Sequence, residues 1–138
     1  MEISFLDYLL NESNNSTVKI QGLEDYDLED LIDIIKEQLQ GKLIDAGIED
    51  LKIIDLAIIG SRNRHTAKID SDLDVVFEYD YDMKEDAVFN IVNEAPKCEI
   101  DGIEIDFNPI RKEESGAIKE YLKKSKKYDQ EILAKIKK

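Results

Sequence analysis

The chain has 138 residues, of which 42% are hydrophobic and 37% are charged, and its formal net charge is −13. This length and apolar content fit one compact domain and argue against intrinsic disorder. No run of about 18 apolar residues occurs, and the acidic first residues lack the basic start of a secretory signal. We therefore expect no membrane span and a cytoplasmic location, where the single Cys98 forms neither an internal disulfide nor a cysteine-based zinc site.

The charge is distributed unevenly along the chain. Residues 1–110 contain 27 acidic and 9 basic side chains, a net of −18, whereas residues 111–138 contain 5 acidic and 10 basic ones, a net of +5. An acidic body of this kind repels a phosphate backbone, which argues against general nucleic-acid binding. The basic end is expected to be a solvated helix face, with contact to RNA or to an acidic protein surface as alternatives.

The first part of the chain predicts two helices and a brief strand. A short helix is indicated over 3–10 and a strand over 17–20. Asp27 is a favourable N-cap for a longer helix, and Gly47 is placed to end it. The apolar residues of this helix recur on one stripe, at Leu28, Leu31, Ile32, Ile35, Leu39 and Leu43.

The middle of the chain predicts two strands and a helix. The almost continuous apolar run over 52–59 is typical of a buried strand, and 73–79 predicts a second strand rich in valine and aromatic residues. The pattern over 83–93 predicts a helix with inward-facing Ala87, Val88, Ile91 and Val92.

A hairpin and a basic helix are predicted to end the chain. Asp101-Gly102 is a strong two-residue turn signal, so 98–107 is expected to form a hairpin that stops at Pro109. One long or broken helix is expected over 113–138. The elements together predict an α/β (α+β) fold, with a mixed β-sheet flanked by helices in one domain spanning 1–138.

The residues that follow the apolar strand are suited to binding a metal-bound nucleoside triphosphate. Gly60-Ser61 leaves the strand in a turn where backbone N–H groups and the serine hydroxyl can contact phosphates. Arg62 and Arg64 lie within one turn of it and can neutralise phosphate oxygens. This segment therefore predicts nucleotide binding.

Three carboxylates are predicted to converge near that turn. Asp72 and Asp74 are separated by one residue, so an extended strand directs both side chains to the same face. Asp106 lies in the hairpin, and Glu104 and Asn108 share its face. If the two strands are neighbours, the repulsion among the carboxylates makes a divalent cation their natural partner, and oxygen ligands suit Mg²⁺.

The aspartate pair alone is a weak signal in so acidic a chain. Asp-x-Asp occurs at 25/27, 70/72, 72/74 and 80/82. Only the 72/74 pair opens a strand eleven residues after a Gly-Ser turn and precedes an aspartate in a third strand. The alternatives are that the pair sits on an exposed strand edge, that Asp106 is a solvated strand residue, or that Glu104 takes its role.

The segments Gly60-Ser61-Arg62-Asn63-Arg64 and Asp70-Ser71-Asp72-Leu73-Asp74-Val75 resemble the signature of the polymerase-beta-like nucleotidyltransferase superfamily, nearest its minimal nucleotidyltransferases. The resemblance covers roughly 53–108, taken as the core, and leaves an N-terminal extension, 1–50, and the basic C-terminal helix unmatched. The chain departs from many small members at His65, where they have glycine.

The resemblance implies a nucleotidyltransferase fold and an enzyme that moves a nucleoside monophosphate, AMP from ATP, to a hydroxyl on a protein, an RNA end or a small molecule. It implies two Mg²⁺ ions, with Mn²⁺ as the alternative. Because a chain this short has little room for a dedicated acceptor domain, a partner protein is a further candidate to complete the site. It assigns nucleotide binding to Gly60, Ser61, Arg62 and Arg64, and catalysis and metal binding to Asp72, Asp74 and Asp106.

Two other functions remain open from the sequence. The same fold can serve as a nucleotide-binding or antitoxin-like partner protein with little or no catalysis. The second alternative is an acidic interaction protein without nucleotide chemistry, which docks on its partner through its basic end. The converging carboxylates favour the enzyme, because a pure binding module does not require them.

Overall fold

The computed structural model describes residues 19–60, 68 and 71–123. Within them, the helices and strands are α1 (Leu28–Asp45), β1 (Lys52–Ile59), β2 (Leu73–Asp80), α2 (Glu85–Val92), β3 (Glu99–Ile100) and β4 (Ile103–Ile110). Residues 118–123 are also helical. No helix in this part of the chain is both long and apolar enough to cross a membrane.

The strands form one mixed sheet in the order β1-β2-β4-β3. Strand β2 pairs antiparallel with β1 and parallel with β4, and β3 pairs antiparallel with β4. The parallel pair is possible because α2 carries the chain back across the sheet between β2 and the hairpin. The predicted mixed sheet flanked by helices is confirmed.

The long helix predicted after Asp27 is confirmed as α1. Its stripe of Leu31, Ile32, Ile35, Leu39 and Leu43 is buried. Gly47 follows its end with a φ of +75°, and the N–H of Ile48 donates to the carbonyl of Leu43 at 2.9 Å, as expected of a glycine that stops a helix. The Asp27 carboxylate, however, does not cap the helix but accepts from the Lys19 ammonium at 3.1 Å.

Strand β1 has the predicted bounds but is not the fully buried strand that its apolar run indicates. Among the described strands it lies at the edge of the sheet, and Ile54 is 51% exposed. The register with β2 shifts between Ile53 and Asp55. An edge position in an antiparallel pair leaves part of the strand in contact with water, so apolar content alone overestimated its burial.

Helix α2 is shorter than predicted, since it begins at Glu85 and ends at Val92. Val88 and Val92 are buried and Ile91 is partly buried, but Ala87 is exposed, so its predicted inward position is wrong. A helix of eight residues turns only a narrow stripe of side chains toward the sheet. Val88 and Val92 are the buried residues of that stripe, and Ala87 lies outside it.

The predicted basic helix is wrong at its start, because residues 112–115 form a turn and the helical residues begin at Ile118. The Glu85 carboxylate holds this turn: it accepts from the backbone N–H groups of Arg111 and Ser115, both at 2.9 Å, and from the Ser115 hydroxyl at 2.6 Å. Gly116 then has a φ of +92°, which ends any helical path. Residues 124–138 lie outside the described residues.

The predicted helix over 3–10 also lies outside the described residues, as does the first half of the strand predicted over 17–20. Lys19 and Ile20 are not in a strand. Ile20 instead enters the core and accepts a hydrogen bond from the N–H of Leu23 at 2.9 Å, in a turn that leads toward α1.

The sheet separates two apolar clusters. The face that packs on α1 and α2 carries most of the odd-numbered residues of β2 and β4, and the buried ones in this cluster are Leu73, Val75, Phe77, Tyr79, Ile105 and Phe107. The other face carries a smaller cluster of Ala57, Val76, Ile110, Ile118 and Leu122, and the helical residues 118–123 cover it. Because strand side chains alternate, the even-numbered residues of β2 and β4 lie on this second face.

Candidate active site

Asp74 and Asp106 lie side by side on neighbouring parallel strands, as direct partners in the register of β2 and β4. Both are even-numbered and therefore lie on the second face of the sheet. Asp72 immediately precedes β2, and its carboxyl is hydrogen-bonded to that of Asp106. The two strands thus bring three carboxylates to one end of one face.

Gly60 follows β1 directly beside Asp74. It has a φ of +81°, and a Cβ atom added there would lie 2.4 Å from Oδ2 of Asp74 and 3.2 Å from its Cβ and Cγ. Glycine is therefore required for two independent reasons, the left-handed backbone and the lack of room. The backbone of the turn approaches the Asp74 carboxylate more closely than any side-chain-bearing residue allows.

Three residues predicted to contact phosphates, Ser61, Arg62 and Arg64, lie outside the described residues. His65 and Asp70 do as well. Among the predicted nucleotide-binding residues, Gly60 is the one that the structure describes.

The pKa values of Asp72 and Asp106 are shifted in opposite directions. Partial burial, then the hydrogen bond and the negative charge of Asp106, raise the pKa of Asp72. Burial also acts to raise the pKa of Asp106, but hydrogen bonds from Lys97 and Asp72 outweigh it and lower that pKa. Of the two carboxyls, Asp72 is therefore the one that releases its proton at the higher pH.

Lys97 contacts the carboxylates and was not identified in the sequence. Its ammonium donates to Oδ1 of Asp106 and lies 3.8 Å from Oε2 of Glu104. The hydrogen bond to Asp106 is the largest cause of a raised Lys97 pKa. Lys97 therefore carries a positive charge into an otherwise acidic site.

The hairpin register accounts for this placement. Glu99 pairs with Glu104 and Ile100 with Ile103 across the Asp101-Gly102 turn, whose two residues have φ values of +51° and +82°. A two-residue turn of this kind fixes the register, and the same count places residue 97 opposite residue 106. The turn signal that predicted the hairpin contained the information needed to find Lys97.

Asn93 supports the backbone beside Asp106. Its side-chain carbonyl accepts from the N–H of Phe107, and its side-chain amide donates to the carbonyl of Phe107, both at 2.9 Å. Strand β3 is only two residues long, so the asparagine amide replaces a strand partner at this point of β4. This contact depends on tertiary structure, and no sequence signal predicts it.

The helical residues 118–123 border the second face near Asp74. Tyr121 is partly buried there, and its pKa is raised first by burial and then by the negative charge of Asp74. The buried Glu78 carboxylate accepts from the N–H of Ile118 at 2.8 Å, at the start of this helical segment. Because Glu78 and Asp74 share β2, the helix and the carboxylate are positioned by the same strand.

Glu104, the rival for the role of Asp106, lies on the same face but farther toward the turn. Its side chain is 53% exposed, compared with 40% for Asp106. Glu104 pairs with Glu99 at the edge of the sheet, whereas Asp106 pairs with Asp74. Asp106 is thus the direct strand partner of Asp74 and contacts Asp72, whereas Glu104 acts on Asp72 through its negative charge.

The donor chemistry of the site fits a hard divalent cation, because the three aspartates offer only oxygen ligands at one end of one face. Among residues 19–60, 68 and 71–123, no three acidic, histidine or cysteine side chains form a ready-made metal cage. A complete cage is not required of Mg²⁺, which usually keeps waters and substrate phosphates in its shell. The carboxyls of Asp72 and Asp106 lie close enough to interact directly, so a single cation could bind oxygens of both.

A comparison with protein families finds one described as a nucleotidyltransferase domain, whose model matches residues 41–129. The matched segment runs from the end of α1 past the last described residue, and it includes Gly60 and all three aspartates. Neither a curated protein nor a solved structure matches the chain.

Proposed function

The chain belongs to the nucleotidyltransferase domain family and is a nucleotidyltransferase, and on this premise we propose that it transfers AMP from ATP to a hydroxyl group with the help of Mg²⁺. The observation that carries the proposal is the pairing of Asp74 with Asp106 on adjacent strands, next to a turn at Gly60 that has no room for a side chain. This arrangement supports the proposal, because carboxylate oxygens are suitable ligands for a cation and the adjacent glycine backbone would allow phosphates to approach.

Asp72, Asp74 and Asp106 are the residues that would hold two Mg²⁺ ions, with Mn²⁺ as the substitute. Nucleotidyltransferase domains typically use divalent metals, and when bound these ions activate the attacking oxygen and stabilise the leaving one. The lowered pKa of Asp106 makes it a weak base. It therefore favours the ligand role for Asp106 over the role of general base.

Gly60, Ser61, Arg62 and Arg64 are the proposed triphosphate-binding residues. Support comes from the close approach of Gly60 to Asp74, because phosphates held against this turn would lie next to the metal ligands. The arginines would neutralise phosphate oxygens as the charge shifts toward the pyrophosphate leaving group. The net charge of −13 is compatible with this role, since metals and local arginines determine the field that a bound triphosphate experiences.

The proposed acceptor is a hydroxyl group on a protein, an RNA end or a small molecule. The acidic body argues against long nucleic acids, which bind through their phosphates. A partner protein that completes the site is included in the proposal as the alternative source of the acceptor-binding residues.

Labelling with radioactive nucleoside triphosphates and Mg²⁺ in a host lysate tests the proposal. Wild type is compared with Asp72→Ala and Asp106→Asn, and with Asp82→Ala, which removes an exposed aspartate of a different Asp-x-Asp pair. Wild type and Asp82→Ala should label an acceptor, ATP most efficiently. The other two variants should lose at least about 100-fold, because even outer-shell changes cost 10–100-fold. Equal labelling by all four proteins, or by none, would refute the proposal.

A further inference from the structure

We propose that divalent cations compete with Lys97 for Asp106, so that Lys97 determines how much metal the site requires. The inference rests on the proposed role of Asp106 as a metal ligand. It extends that role by assigning a function to a lysine that belongs to none of the motifs in the chain.

The first support is the position of the ammonium group. It contacts Oδ1 of Asp106, lies 3.8 Å from Glu104, and is close enough to Asp72 for their charges to interact. The Lys97 side chain is only 26% exposed, less than either Asp106 or Glu104. Lys97 is thus enclosed among the carboxylates rather than extended into solvent.

The second support is that backbone geometry places Lys97 there. The hairpin register directs residue 97 toward residue 106, and the N–H of Ile105 donates to the carbonyl of Cys98 at 2.8 Å, which continues the pairing beyond the two residues of β3. A long lysine on a loop usually forms ion pairs of little energetic value. Here the paired backbone has already fixed the direction of the side chain, so the contact costs less entropy.

Competition follows from the charge of the two cations. A metal ion and an ammonium group on the same carboxylate repel each other, and one of them must retreat or share the oxygens. Binding of the metal is therefore coupled negatively to the Asp106–Lys97 contact. Coupling free energies between neighbouring sites usually correspond to about 5- to 150-fold in affinity.

Lys97→Met removes the ammonium while keeping a chain of similar length, so it should increase the affinity for Mn²⁺ by roughly tenfold. Lys97→Arg retains the charge and should bind Mn²⁺ as wild type does, to within about threefold. Lys52→Met is the matched control. Lys52 is an exposed lysine at the start of β1, and it pairs with Asp80, at the opposite end of β2 from the aspartates of the site.

The experiment is a calorimetric titration of the full chain with Mn²⁺ alone, without nucleotide, for wild type and these three variants. Asp106→Asn and the double variant Lys97→Met/Asp106→Asn complete a cycle in which the lysine substitution should have no effect once Asp106 is gone. Thermal unfolding with and without Mn²⁺ provides a second readout, in which Lys97→Met should gain the larger shift in Tm. Lys97→Gln replaces Lys97→Met if the latter does not fold.

The outcomes separate this inference from the proposed function. Absence of Mn²⁺ binding by both wild type and Lys97→Met would overturn the metal role of Asp106 and the inference with it. Binding by wild type that Lys97→Met leaves unchanged or weakens would overturn the inference alone. An Arg variant that binds as tightly as the Met variant would also overturn it, since the charge would then not be responsible.

Discussion

The two faces of the sheet are made by the same strands but carry different kinds of side chain. On β2 and β4, the odd-numbered residues Leu73, Val75, Phe77, Ile105 and Phe107 are at most 1% exposed and form the main core. The even-numbered Asp74 and Asp106 lie on the opposite face as paired carboxylates. At the end of the strands that carries these aspartates, residue parity therefore separates the core from the proposed site, whereas farther along the even-numbered Val76 and Ile110 are buried as well. Neighbouring substitutions should therefore have opposite consequences.

The largest expected effect comes from the core face. Phe107→Ala removes a fully buried ring that packs edge-to-face on Phe77, with centroids 6.0 Å apart. We expect it to lower the free energy of unfolding by about 3–5 kcal/mol, because the ring leaves a cavity. Urea unfolding followed by circular dichroism measures this change. A loss below about 1 kcal/mol would contradict the separation of the two faces.

A substitution of an aspartate on the other face should have the opposite effect. Because the labelling experiment already tests Asp106 on β4, Asp74→Asn is chosen here to test β2. We expect nucleotidyl transfer to fall by at least about 100-fold while the free energy of unfolding changes by less than about 1 kcal/mol. Steady-state kinetics and urea unfolding on the same preparations measure both. An Asp74→Asn protein that is much less stable than wild type but keeps wild-type activity per folded molecule would contradict this expectation.

Gly60→Ala tests the link between the sheet and the turn. The added Cβ meets the Asp74 carboxylate at 2.4 Å and the residue has a positive φ, so we expect a loss of about 1–2 kcal/mol in stability together with reduced transfer. Gly47→Ala is the control, because Gly47 has a φ of +75° but nothing within 4 Å of the added atom.

The two glycine variants should share the backbone strain and differ in the clash. Gly47→Ala should therefore lose stability without losing activity per folded molecule. Equal activity losses in both variants would show that strain, rather than displacement of Asp74, is responsible.

The smallest expected effect is a pH-dependent gain in stability from Asp72→Asn. The raised pKa of Asp72 means that the folded protein binds its proton more tightly than the unfolded chain does. The stabilising contribution is then complete at pH values below the ordinary pKa and is lost as pH rises through the raised value.

Asp72→Asn should consequently be more stable than wild type at about pH 7, by less than about 1 kcal/mol because the site is open to solvent, and the difference should shrink at about pH 4. The asparagine amide can still donate to Asp106, so the hydrogen bond is preserved. Urea midpoints at the two pH values, without added metal, measure the effect. A stability difference that is constant with pH would contradict the assignment.

Much of the fold was predictable because its signals are local. The stripe of α1, the glycine after it, the apolar run of β1 and the Asp101-Gly102 turn each specify an element without reference to the rest of the chain. The prediction that Asp74 lies beside Asp106 needed one further assumption, that β2 and β4 are neighbours, and the parallel register supplies it. The catalytic and binding roles of these residues stay predictions.

The features that the sequence did not predict depend on contacts between distant segments. Among the described strands, β1 lies at the edge because the sheet continues from β2 to β4, on the side of β2 that faces away from β1. The turn before Ile118 exists because Glu85, in another helix, binds its backbone. Gly116 is a local signal against a continuous helix there, but the position of the turn is fixed by these hydrogen bonds to Glu85.

The length of the Asp101-Gly102 turn has a consequence for how the site can change in evolution. Strand β4 is held in place by β2, so one residue inserted in the turn would slip the β3 arm rather than β4. A slip of one residue reverses the face of every side chain on the arm, and Lys97 would point away from Asp106. A change in chain length at the tip of the hairpin can thus alter the charge of the site while every residue of the site is conserved.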